Sequence, residues 1–489
     1  MEVASLVATR EILKHCTPND CWIVVSDEVW DVTEFAQEHP GGVSIITKLA
    51  GKDATQAYSE VHAPAVIREN LPVDCFKGML DQSTVTEAWR SEMALKPQTS
   101  QTQDLEEKPP LHAVLNCYDF ERIASLFGPK KAFAFYSTAA TDCWTRDSNE
   151  SMLKRIWFRP RVMRDVSVVD TSSTVLNIPV KLPLFICPTG LARLIHPDAE
   201  KGLARAAKST GILEIISSSA SHPLEDIVHE APDYPFLFQL YLNKQKEKSR
   251  AALIKAQNLG IKAIFLTVDA AGRGKRESDE RLRVDDVIEN PVTGERAKVD
   301  KIGAGLTRLM GAYIDQGMTW KDIKWIRSVT DLPIILKGIT CAQDAKIAMQ
   351  HGVSGIMLSN HGGRNLDFAP PSILLLLEMH KCCPEVFQTM EVYVDGGFRR
   401  GGDILKALCL GAKAVGIGRT FLYSLHYGTE GVEHLVNILQ EEMESVMKLI
   451  GIKNLNEVHP DLVNTSDVDH LVPRSSSHPY ATLQLRANL

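Results

Sequence analysis

The stretch Gly355-Ile356-Met357-Leu358-Ser359-Asn360-His361-Gly362-Gly363-Arg364 indicates both the fold and the chemistry of this chain. Its apolar start predicts a buried strand, and the two glycines predict a tight turn after it. His361 and Arg364 therefore leave the end of one strand together. An imidazole exchanges a proton near neutral pH, and a guanidinium binds a carboxylate through two parallel hydrogen bonds. A loop with a solvated arginine and a backbone-bonded histidine explains this stretch equally well when it is taken alone.

Seven further apolar runs are each followed by a helical pattern, as this one is. The eight runs are Leu182–Cys187, Ile212–Ile216, Phe236–Leu240, Ala263–Val268, Pro333–Leu336, Gly355–Leu358, Val392–Val394 and Ala414–Ile417. Eight strand–helix alternations in one domain predict an α/β fold of the (β/α)8 TIM barrel type rather than an open sheet. Active sites of such barrels gather at the carboxyl ends of the strands, so the polar residues after each run are the candidates.

These candidates converge on one end of the predicted barrel. In chain order they are Pro188-Thr189-Gly190, Ser217-Ser218, Gln239 and Tyr241, Thr267 and Asp269, Lys337-Gly338, Ser359-Asn360-His361, Asp395-Gly396-Gly397-Phe398-Arg399 and Gly416-Ile417-Gly418-Arg419. The loops after strands seven and eight commonly hold a phosphate on backbone N–H groups, here backed by arginine. A lysine, an aspartate, a histidine and an arginine on successive strands thus predict an acid–base site above a phosphorylated cofactor.

Residues 6–80 predict a separate, small α+β unit. Cys21–Val25 and Glu28–Val32 are typical of two strands around a turn, and a helical pattern runs from Val43 to Ala50. His39 and His62 each follow a helical stretch, with an apolar lining between them. Two neutral imidazoles so placed suit a planar metal macrocycle held from both faces, and iron ligated in this way transfers electrons. Two surface histidines at loop ends are the alternative interpretation.

The composition of the chain argues against several classes of protein. The 489 residues have a net charge of −7 and no basic run, which gives no reason to expect nucleic acid. None of the ten cysteines forms a Cys-x-x-Cys pair, so neither a zinc site nor a disulfide framework is indicated, and a reducing compartment is expected. No apolar run is long enough to span a bilayer. The start lacks a signal-peptide core and an arginine-rich presequence, which predicts a cytoplasmic location. The mitochondrial intermembrane space after processing and the peroxisome, from the ending Arg486-Ala487-Asn488-Leu489, are the alternatives.

Two sets of motifs resemble known protein families. His39-Pro40-Gly41-Gly42, followed by Ala50-Gly51-Lys52-Asp53-Ala54-Thr55 and His62, resembles the cytochrome b5 haem domain. Ser359-Asn360-His361-Gly362-Gly363-Arg364, Leu336-Lys337-Gly338 and Val394-Asp395-Gly396-Gly397 together resemble the FMN-dependent α-hydroxy-acid oxidising family. In this order the two domains, from residue 6 to about 465, resemble L-lactate dehydrogenases of the flavocytochrome b2 type. The resemblance implies FMN and haem b as cofactors, with His39 and His62 as axial iron ligands. It also implies oxidation of a lactate-like L-2-hydroxy acid, with electrons passed to a cytochrome c type acceptor.

The same resemblance implies catalytic roles. His361 accepts a proton as the substrate is oxidised, and Asp269 hydrogen-bonds its imidazole and stabilises the positive charge that develops. Arg364 and Arg276 hold the substrate carboxylate, while Tyr241 contacts the reacting oxygen. Whether the Cα proton leaves first or a hydride moves to the flavin stays open.

The resemblance also implies how FMN is bound. Lys337 lies near the flavin N1 edge and stabilises the anionic reduced ring. The remaining implied cofactor contacts are Ser217, Gln239 and Thr267 to the flavin ring, Pro188-Thr189-Gly190 along its other face, Asp395, Arg399, Gly418 and Arg419 to the ribityl phosphate, and Ser359, Gly396 and Gly397 beside them.

Two positions depart from the family pattern. Phe135 stands where the family usually has a tyrosine that touches the substrate carboxylate, which removes a hydrogen bond worth about 1.5–3 kcal/mol. Ser219 stands where some relatives have a bulky residue over the pocket. Both indicate room for a larger acid, so an FMN-dependent oxidase that acts on larger 2-hydroxy acids with oxygen is the second interpretation. A non-catalytic haem redox-sensing module is the third, and it would require missing active-site residues.

We predict four segments: a haem-binding domain at 1–80, a polar, proline-punctuated linker at 81–109, the barrel at 110–466 and a tail at 467–489. The polar segment from Glu277 to Tyr313 is longer than an ordinary barrel loop, and it is either a lid or a disordered connector. Because it follows Arg276, we predict a mobile flap over the site. Tails of this family wrap neighbouring subunits, so a homotetramer is expected by analogy.

Overall fold

A computed structural model of the chain describes residues 5–39, 43–59, 62, 66–86, 89, 107–272, 274–281, 306 and 311–475. The chain divides into two compact units, Met1–Asp104 and Leu105–Leu489. Most of the predicted linker, most of the predicted flap and the last part of the predicted tail lie outside the described residues, as do Pro40, Gly41 and Gly42.

The first unit contains one five-stranded sheet. Its strands are β1 (Leu6–Val7), β2 (Cys16–Thr17), β3 (Asp20–Val25), β4 (Glu28–Asp31) and β5 (Phe76–Leu80), in the spatial order β1-β5-β4-β3-β2. β1 pairs with β5 in parallel and the other pairs are antiparallel. The helices are α1 (Thr9–Ile12), α2 (Phe35–Glu38), α3 (Val43–Thr47), α4 (Thr55–Ser59) and α5 (Val66–Asn70), with short 3-10 turns at Val73–Cys75 and Gln82–Thr84.

The two strands predicted around a turn at Ser26-Asp27 are confirmed. Both turn residues have positive φ, 51° and 68°, as the tight hairpins that match strand twist require. The helix predicted from Val43 to Ala50 is shorter and ends at Thr47. Apolar residues of β3 and β4 face the helices in one core, so the helix ends that bear His39 and His62 lie over an apolar surface.

The second unit is built on a closed parallel barrel. Its strands are β9 (Leu184–Ile186), β10 (Leu213–Ser217), β11 (Leu237–Leu240), β12 (Ile264–Thr267), β13 (Ile334–Ile339), β14 (Gly355–Leu358), β15 (Glu391–Asp395) and β16 (Ala414–Ile417), and β16 closes on β9. All eight predicted runs form barrel strands, and the (β/α)8 prediction is confirmed. Two small antiparallel pairs lie outside the barrel: β6 (Trp157–Phe158) with β17 (Val463–Asn464), and β7 (Ser173–Val175) with β8 (Ile178–Val180).

The helices of the second unit, in chain order, are α6 (Cys117–Phe127), α7 (Lys130–Ser137), α8 (Trp144–Lys154), α9 (Ala199–Thr210), α10 (Leu224–His229), α11 (Lys246–Asn258), α12 (Glu277–Arg281), α13 (Lys321–Arg327), α14 (Ala342–Gln350), α15 (Ser372–Cys382), α16 (Val386–Thr389), α17 (Gly401–Cys409), α18 (Arg419–Ser424), α19 (Gly428–Ile450) and α20 (Ser466–Asp469). Short 3-10 turns lie at Leu111–Ala113, Ala192–Leu194, His361–Gly363, Leu425–Tyr427, Leu455–Glu457 and Pro460–Leu462.

Aromatic rings fill the barrel interior. Phe185, Phe265 and Tyr393 are fully buried, and their ring centres lie 5.8–6.1 Å apart in edge-on and tilted contacts. The barrel is therefore a packed core and not a channel, and its carboxyl-terminal face is left for a site. Among the described residues, no helix has the length and apolar character needed to cross a membrane.

Candidate active site

The carboxyl ends of the barrel strands surround a cavity of about 560 Å³. The predicted site residues that line it are Pro188, Thr189, Gly190, Ser217, Tyr241, Arg276, Lys337, His361, Arg364, Asp395, Gly396, Gly397, Arg399, Gly418 and Arg419. Asp269, Gln239, Thr267 and Ser359 do not line this cavity. They lie behind it, hydrogen-bonded directly or through one another to residues that do.

His361 and Asp269 form a hydrogen-bonded pair. His361 Nδ1 lies 3.1 Å from Asp269 Oδ1 and 3.2 Å from Oδ2. An ionised carboxylate only accepts hydrogen bonds, so Nδ1 carries the proton and Nε2 keeps its lone pair. The backbone of His361 has φ of 58°, followed by two glycines with positive φ. A Cβ on Gly363 would lie 2.6 Å from the backbone nitrogen of Arg146, so glycine is required there for the turn.

The surroundings of the pair favour a neutral imidazole and an ionised carboxylate. Burial lowers the pKa of His361, the charge of Asp269 opposes this, and nearby Lys337 and Arg276 lower it again, so the net direction is downward. For Asp269, burial raises the pKa, but His361 and Lys337 outweigh it and the net direction is also downward. His361 is therefore ready to accept a proton near neutral pH.

Three guanidinium groups are clustered at the cavity. Arg364 donates from Nη1 to the carbonyl oxygens of Phe135 (2.8 Å) and Tyr136 (2.9 Å), at the carboxyl end of α7. Arg419 donates to the same Tyr136 carbonyl at 2.9 Å, and Arg276 donates from Nε to the Arg364 carbonyl at 3.2 Å. Burial lowers the pKa of Arg276 to about 10, and burial together with its neighbouring cations lowers that of Arg364. Such a cluster of buried positive charge favours the binding of anions.

Lys337 is a further cation of the site and is only 4% exposed. Its Nζ lies 3.1 Å from Ser359 Oγ and 3.5 Å from Asp395 Oδ2. Burial disfavours its charge, but Asp395 and Asp269 outweigh burial, so the pKa of Lys337 is raised and it stays protonated. The buried ammonium is thus paired, as buried charges must be, and it keeps a fixed position at the cavity floor.

A row of polar side chains lies behind the cavity wall. Gln239 Nε2 donates to Thr267 Oγ1 at 3.0 Å, and Gln239 Oε1 accepts from Ser217 Oγ at 3.2 Å. In the barrel Ser217 lies beside Gln239, and Thr267 beside Lys337, so the closed sheet sets this row at one level. Ser217 alone of the three hydrogen-bonded residues lines the cavity.

The cavity fits a phosphorylated flavin. Asp395 Oδ1 is buried and has no hydrogen-bond partner within the described chain, which a ribityl hydroxyl would satisfy. A Cβ on Gly397 would lie 2.6 Å from the backbone of Asn149, so only glycine lets the backbone after β15 lie there. Gly418 and Arg419 follow at the start of α18. The predicted FMN contacts that line the cavity would hold the cofactor, whereas Gln239, Thr267 and Ser359 lie behind them. When bound, FMN would supply the acceptor for the electrons of the substrate.

Three residues of the site were missed by the sequence analysis: Glu121, Glu150 and Tyr136. Arg399 forms ion pairs with Glu121 and, at 3.2 Å, with Glu150, and both carboxylates line the cavity. Tyr136 donates from its hydroxyl to the carbonyls of Gly190 (2.9 Å) and Leu191 (2.7 Å), which fixes the loop after β9. The partners in these contacts are more than 50 positions apart in the sequence, so no spacing pattern could predict them. The aromatic pair Phe135-Tyr136 was the one signal in the sequence that could have pointed to Tyr136.

The two predicted haem ligands of the first unit, His39 and His62, lie close together. The ring centres of His39 and His62 are 6.1 Å apart with an angle of 74° between their planes. Two imidazole nitrogens about 2 Å from one metal ion place the rings at such a separation. Phe35 packs against His39 and Tyr58 against His62. Within the described residues no group of three or more His, Cys, Asp or Glu could hold a metal ion. Two imidazoles at this separation fit a macrocycle that supplies the other iron ligands, as haem does.

Comparison with protein families assigns both units. Residues 125–465 match the FMN-dependent dehydrogenase family, and residues 8–81 match the cytochrome b5-like heme/steroid binding domain. The chain therefore belongs to the FMN-dependent dehydrogenase family, and it has a cytochrome b5-like domain before the barrel. FMN and haem as cofactors, predicted from the resemblance, are confirmed by these matches.

Individual relatives define the class of enzyme more closely than the family match does. The chain is 36% identical over 479 residues to an L-lactate dehydrogenase (cytochrome) of Wickerhamomyces anomalus, covering 96% of this chain and 82% of that one. It is 38% identical over 472 residues to the Saccharomyces cerevisiae protein of the same description, covering 94% and 80%. Glycolate oxidase 3 of Arabidopsis thaliana is 38% identical but covers 73% of this chain.

Solved structures give the same grouping. A mutant flavocytochrome b2 with pyruvate bound has a TM-score of 0.67 and 39% identity, covering 75% of this chain and 90% of that one. A mandelate oxidase mutant with (S)-mandelic acid has a TM-score of 0.62 and 32% identity, covering 72% and 98%. The predicted resemblance to L-lactate dehydrogenases of the flavocytochrome b2 type is confirmed, and the protein is an FMN- and haem-dependent 2-hydroxy-acid dehydrogenase.

Proposed function

We propose that this protein oxidises a lactate-like L-2-hydroxy acid to the 2-oxo acid at the barrel cavity and passes the electrons through haem b to a cytochrome c type acceptor. The observation that carries the proposal is the His361–Asp269 pair, which lies at the same cavity as the buried Arg276 and the half-buried Arg364. A base and a carboxylate clamp are the two parts that a hydroxy-acid oxidation requires from a protein.

Each group has one task in this proposal. Arg276 and Arg364 bind the substrate carboxylate, and the buried phenol of Tyr241, whose pKa burial raises, stays protonated and donates to the reacting oxygen. His361 Nε2 accepts a proton from the substrate, and Asp269 stabilises the imidazolium through Nδ1–H. Lys337 holds a fixed positive charge at the cavity floor, where negative charge would accumulate on a reduced flavin.

The charge of the first unit supports a basic electron acceptor. Residues 1–86 contain 13 Asp and Glu and 6 Lys and Arg, a net charge of −7 that equals that of the entire chain. Glu34 and Glu38 are exposed within five residues of His39, one of the two haem ligands in this proposal. An acidic surface next to a haem attracts a positively charged redox partner and speeds its association.

The experiment that tests the proposal is anaerobic addition of L-lactate, L-mandelate or a long-chain 2-hydroxy acid to the purified holoprotein. Bleaching of the flavin band followed by growth of reduced-haem bands is expected, and the acid that reacts fastest identifies the substrate. Oxidised flavin with every acid would refute the assignment of His361 as the base.

A second candidate function keeps the site but uses oxygen as the acceptor and a larger acid as the substrate. It is favoured by Phe135, whose ring lacks the hydroxyl that would bind a carboxylate, and by Ser219, a small residue that lines the cavity. Bleached flavin with haem left oxidised in the same experiment would favour this candidate. The homotetramer and the cytoplasmic location stay predictions.

A further inference from the structure

The carboxyl end of α7, which binds Arg364 and Arg419, also binds the guanidinium group of Arg146. A helix end leaves its last carbonyl oxygens without partners inside the helix, and its dipole favours positive charge there. Arg146 donates from Nη1 to the Ser137 carbonyl at 3.1 Å, and Arg419 donates from Nη2 to the Thr138 carbonyl at 3.3 Å. Because these carbonyls belong to consecutive residues, the two guanidinium groups lie near each other.

Arg146 and Arg419 also meet the same glycine turn. A Cβ on Gly363 would lie 2.6 Å from the Arg146 backbone nitrogen, and a Cβ on Gly362 would lie 3.2 Å from Arg419 Nη1. Burial lowers the pKa of Arg419, and the nearby charges of Arg146 and Arg399 lower it further. All three arginines line the cavity. Like charges brought together at one cavity wall favour the binding of an anion between them.

The phosphate end of the predicted FMN site needs positive charge beyond that of Arg399 and Arg419. A phosphate monoester carries a charge of about −1.5 to −2 at pH 7. Arg399 is already paired with Glu121 and Glu150, whose carboxylates line the same cavity and would repel the phosphate. Arg419 alone does not balance this negative charge. The guanidinium of Arg146, next to Arg419, supplies the further positive charge.

Arg146 is oriented by Asp147 and still has donors for a ligand. Its Nε lies 2.7 Å from Asp147 Oδ1, and its Nη2 lies 3.3 Å from Oδ2. A guanidinium has five N–H donors, and Asp147 and the Ser137 carbonyl use one on each of its three nitrogens, so two remain for phosphate oxygens. The Asp147 side chain is 65% exposed, so water screens its charge.

We propose that Arg146 binds the FMN phosphate together with Arg399 and Arg419, and that it makes the protein select FMN over unphosphorylated riboflavin. Riboflavin has the same ring and ribityl chain as FMN but no phosphate, so it makes every other contact and not this one. The proposal adds a residue to the predicted cofactor contacts, and it does not depend on which acid the protein oxidises. Arg146 acts in cofactor binding and takes no part in the proton transfer at His361.

The test compares Arg146→Gln with Arg155→Gln, a matched control at the other end of α8. The two side chains are 34% and 33% exposed, and each Nε lies 2.7 Å from a carboxylate oxygen, but Arg155 does not line the cavity. The full-length proteins, freed of flavin, are titrated with FMN and with riboflavin, and the change in flavin fluorescence gives Kd.

In Arg146→Gln, Kd for FMN is expected to rise about tenfold or more, because a hydrogen bond between charged groups is lost. Kd for riboflavin should stay within about twofold of wild type. Arg146→Lys keeps the charge without the planar fork and should raise Kd for FMN by a smaller factor. Arg155→Gln should leave both Kd values within about twofold of wild type. Phosphorus NMR of the FMN-loaded proteins should show a shifted phosphate resonance in Arg146→Gln and an unshifted one in Arg155→Gln.

Three outcomes would overturn the inference. An equal rise in Kd for both flavins would mean that Arg146 only supports the glycine turn and the end of α7. An unchanged Kd for FMN with an unshifted phosphorus resonance would mean that its guanidinium does not reach the phosphate. An equal rise in Kd for FMN in Arg155→Gln would assign the effect to the loss of one positive charge from the chain, wherever it lies.

Discussion

Gly338 leaves no room for a side chain next to Asp269: a Cβ built on it would lie 2.7 Å from both the Cβ and the Cγ of the aspartate. The glycine also has φ of +115°, which side chains disfavour, and it lies where the register of β13 against β14 shifts. The backbone irregularity after Lys337 thus makes the space in which Asp269 meets His361.

Gly338→Ala is therefore expected to lower the rate of flavin reduction by tenfold or more and to destabilise the fold by about 1–3 kcal/mol. The matched control is Gly260→Ala, at φ of +78° with nothing within 4 Å of the added Cβ. It should cost about 1 kcal/mol of stability and leave the rate unchanged. Anaerobic stopped-flow reduction and thermal unfolding measure both quantities. An equal loss of rate in the two variants would contradict the role given to Gly338.

Asp269→Asn tests the electrostatic part of the pair. The neutral form of His361 is the base, so the rate of flavin reduction should rise with pH to a plateau, with an apparent pKa below the ordinary 6.5. Asp269 acts to raise the pKa of His361, so its removal should move the acidic limb to still lower pH. The plateau rate should nevertheless fall by about 10²-fold or more, because the imidazolium that forms is no longer stabilised. A limb that moves to higher pH would contradict the assignment.

Phe135→Tyr tests the departure at the substrate carboxylate. The change adds a hydroxyl to a ring already packed over Arg364 and leaves the backbone carbonyl that Arg364 uses in place. KM for L-lactate should fall about tenfold or more, because a hydrogen bond to a charged carboxylate is worth about 1.5–3 kcal/mol. Phe158→Tyr, at a ring that packs near Gly402 outside the cavity, is the control and should leave KM unchanged. No change in KM for either variant would show that position 135 does not reach the carboxylate.

Residues close in the sequence were placed well by the sequence analysis. Gly355–Leu358 is a barrel strand with the predicted bounds, because an apolar run and the glycines after it determine strand and turn locally. The approach of Gly338 to Asp269 and the bond between Tyr313 and Ser219 were missed. They join residues about 70 and 94 positions apart, and only the closed barrel brings them together. Periodicity describes which face of a strand is buried, but not which side chain of a neighbouring loop meets it.

His62→Ala tests the iron ligand and the direction of electron flow together. The variant should lose the haem absorption bands, since one axial ligand is gone. Reduction of the flavin by substrate should stay within about twofold of wild type, while reduction of a c-type cytochrome falls by about 10²-fold or more. His15→Ala is the control, because His15 stacks on Trp22 at 3.8 Å and pairs with Asp20, away from any predicted ligand role. Retained haem bands in His62→Ala would rule out His62 as a ligand.

The acidic first unit should make electron transfer to the cytochrome sensitive to salt. Attraction between its net charge of −7 and a basic c-type cytochrome is screened as ionic strength rises, so the rate of cytochrome reduction should fall about tenfold between low and physiological salt. Flavin reduction by substrate, an event inside the cavity, should change little over the same range. Replacing Glu34 and Glu38 by Gln should weaken this dependence, because both are exposed and lie within five residues of His39. Glu441→Gln, an equally exposed charge in the second unit, should not. Only charges near the contact surface steer the encounter with the acceptor. If all these variants showed the same salt dependence, the acceptor would therefore bind somewhere other than at the haem edge.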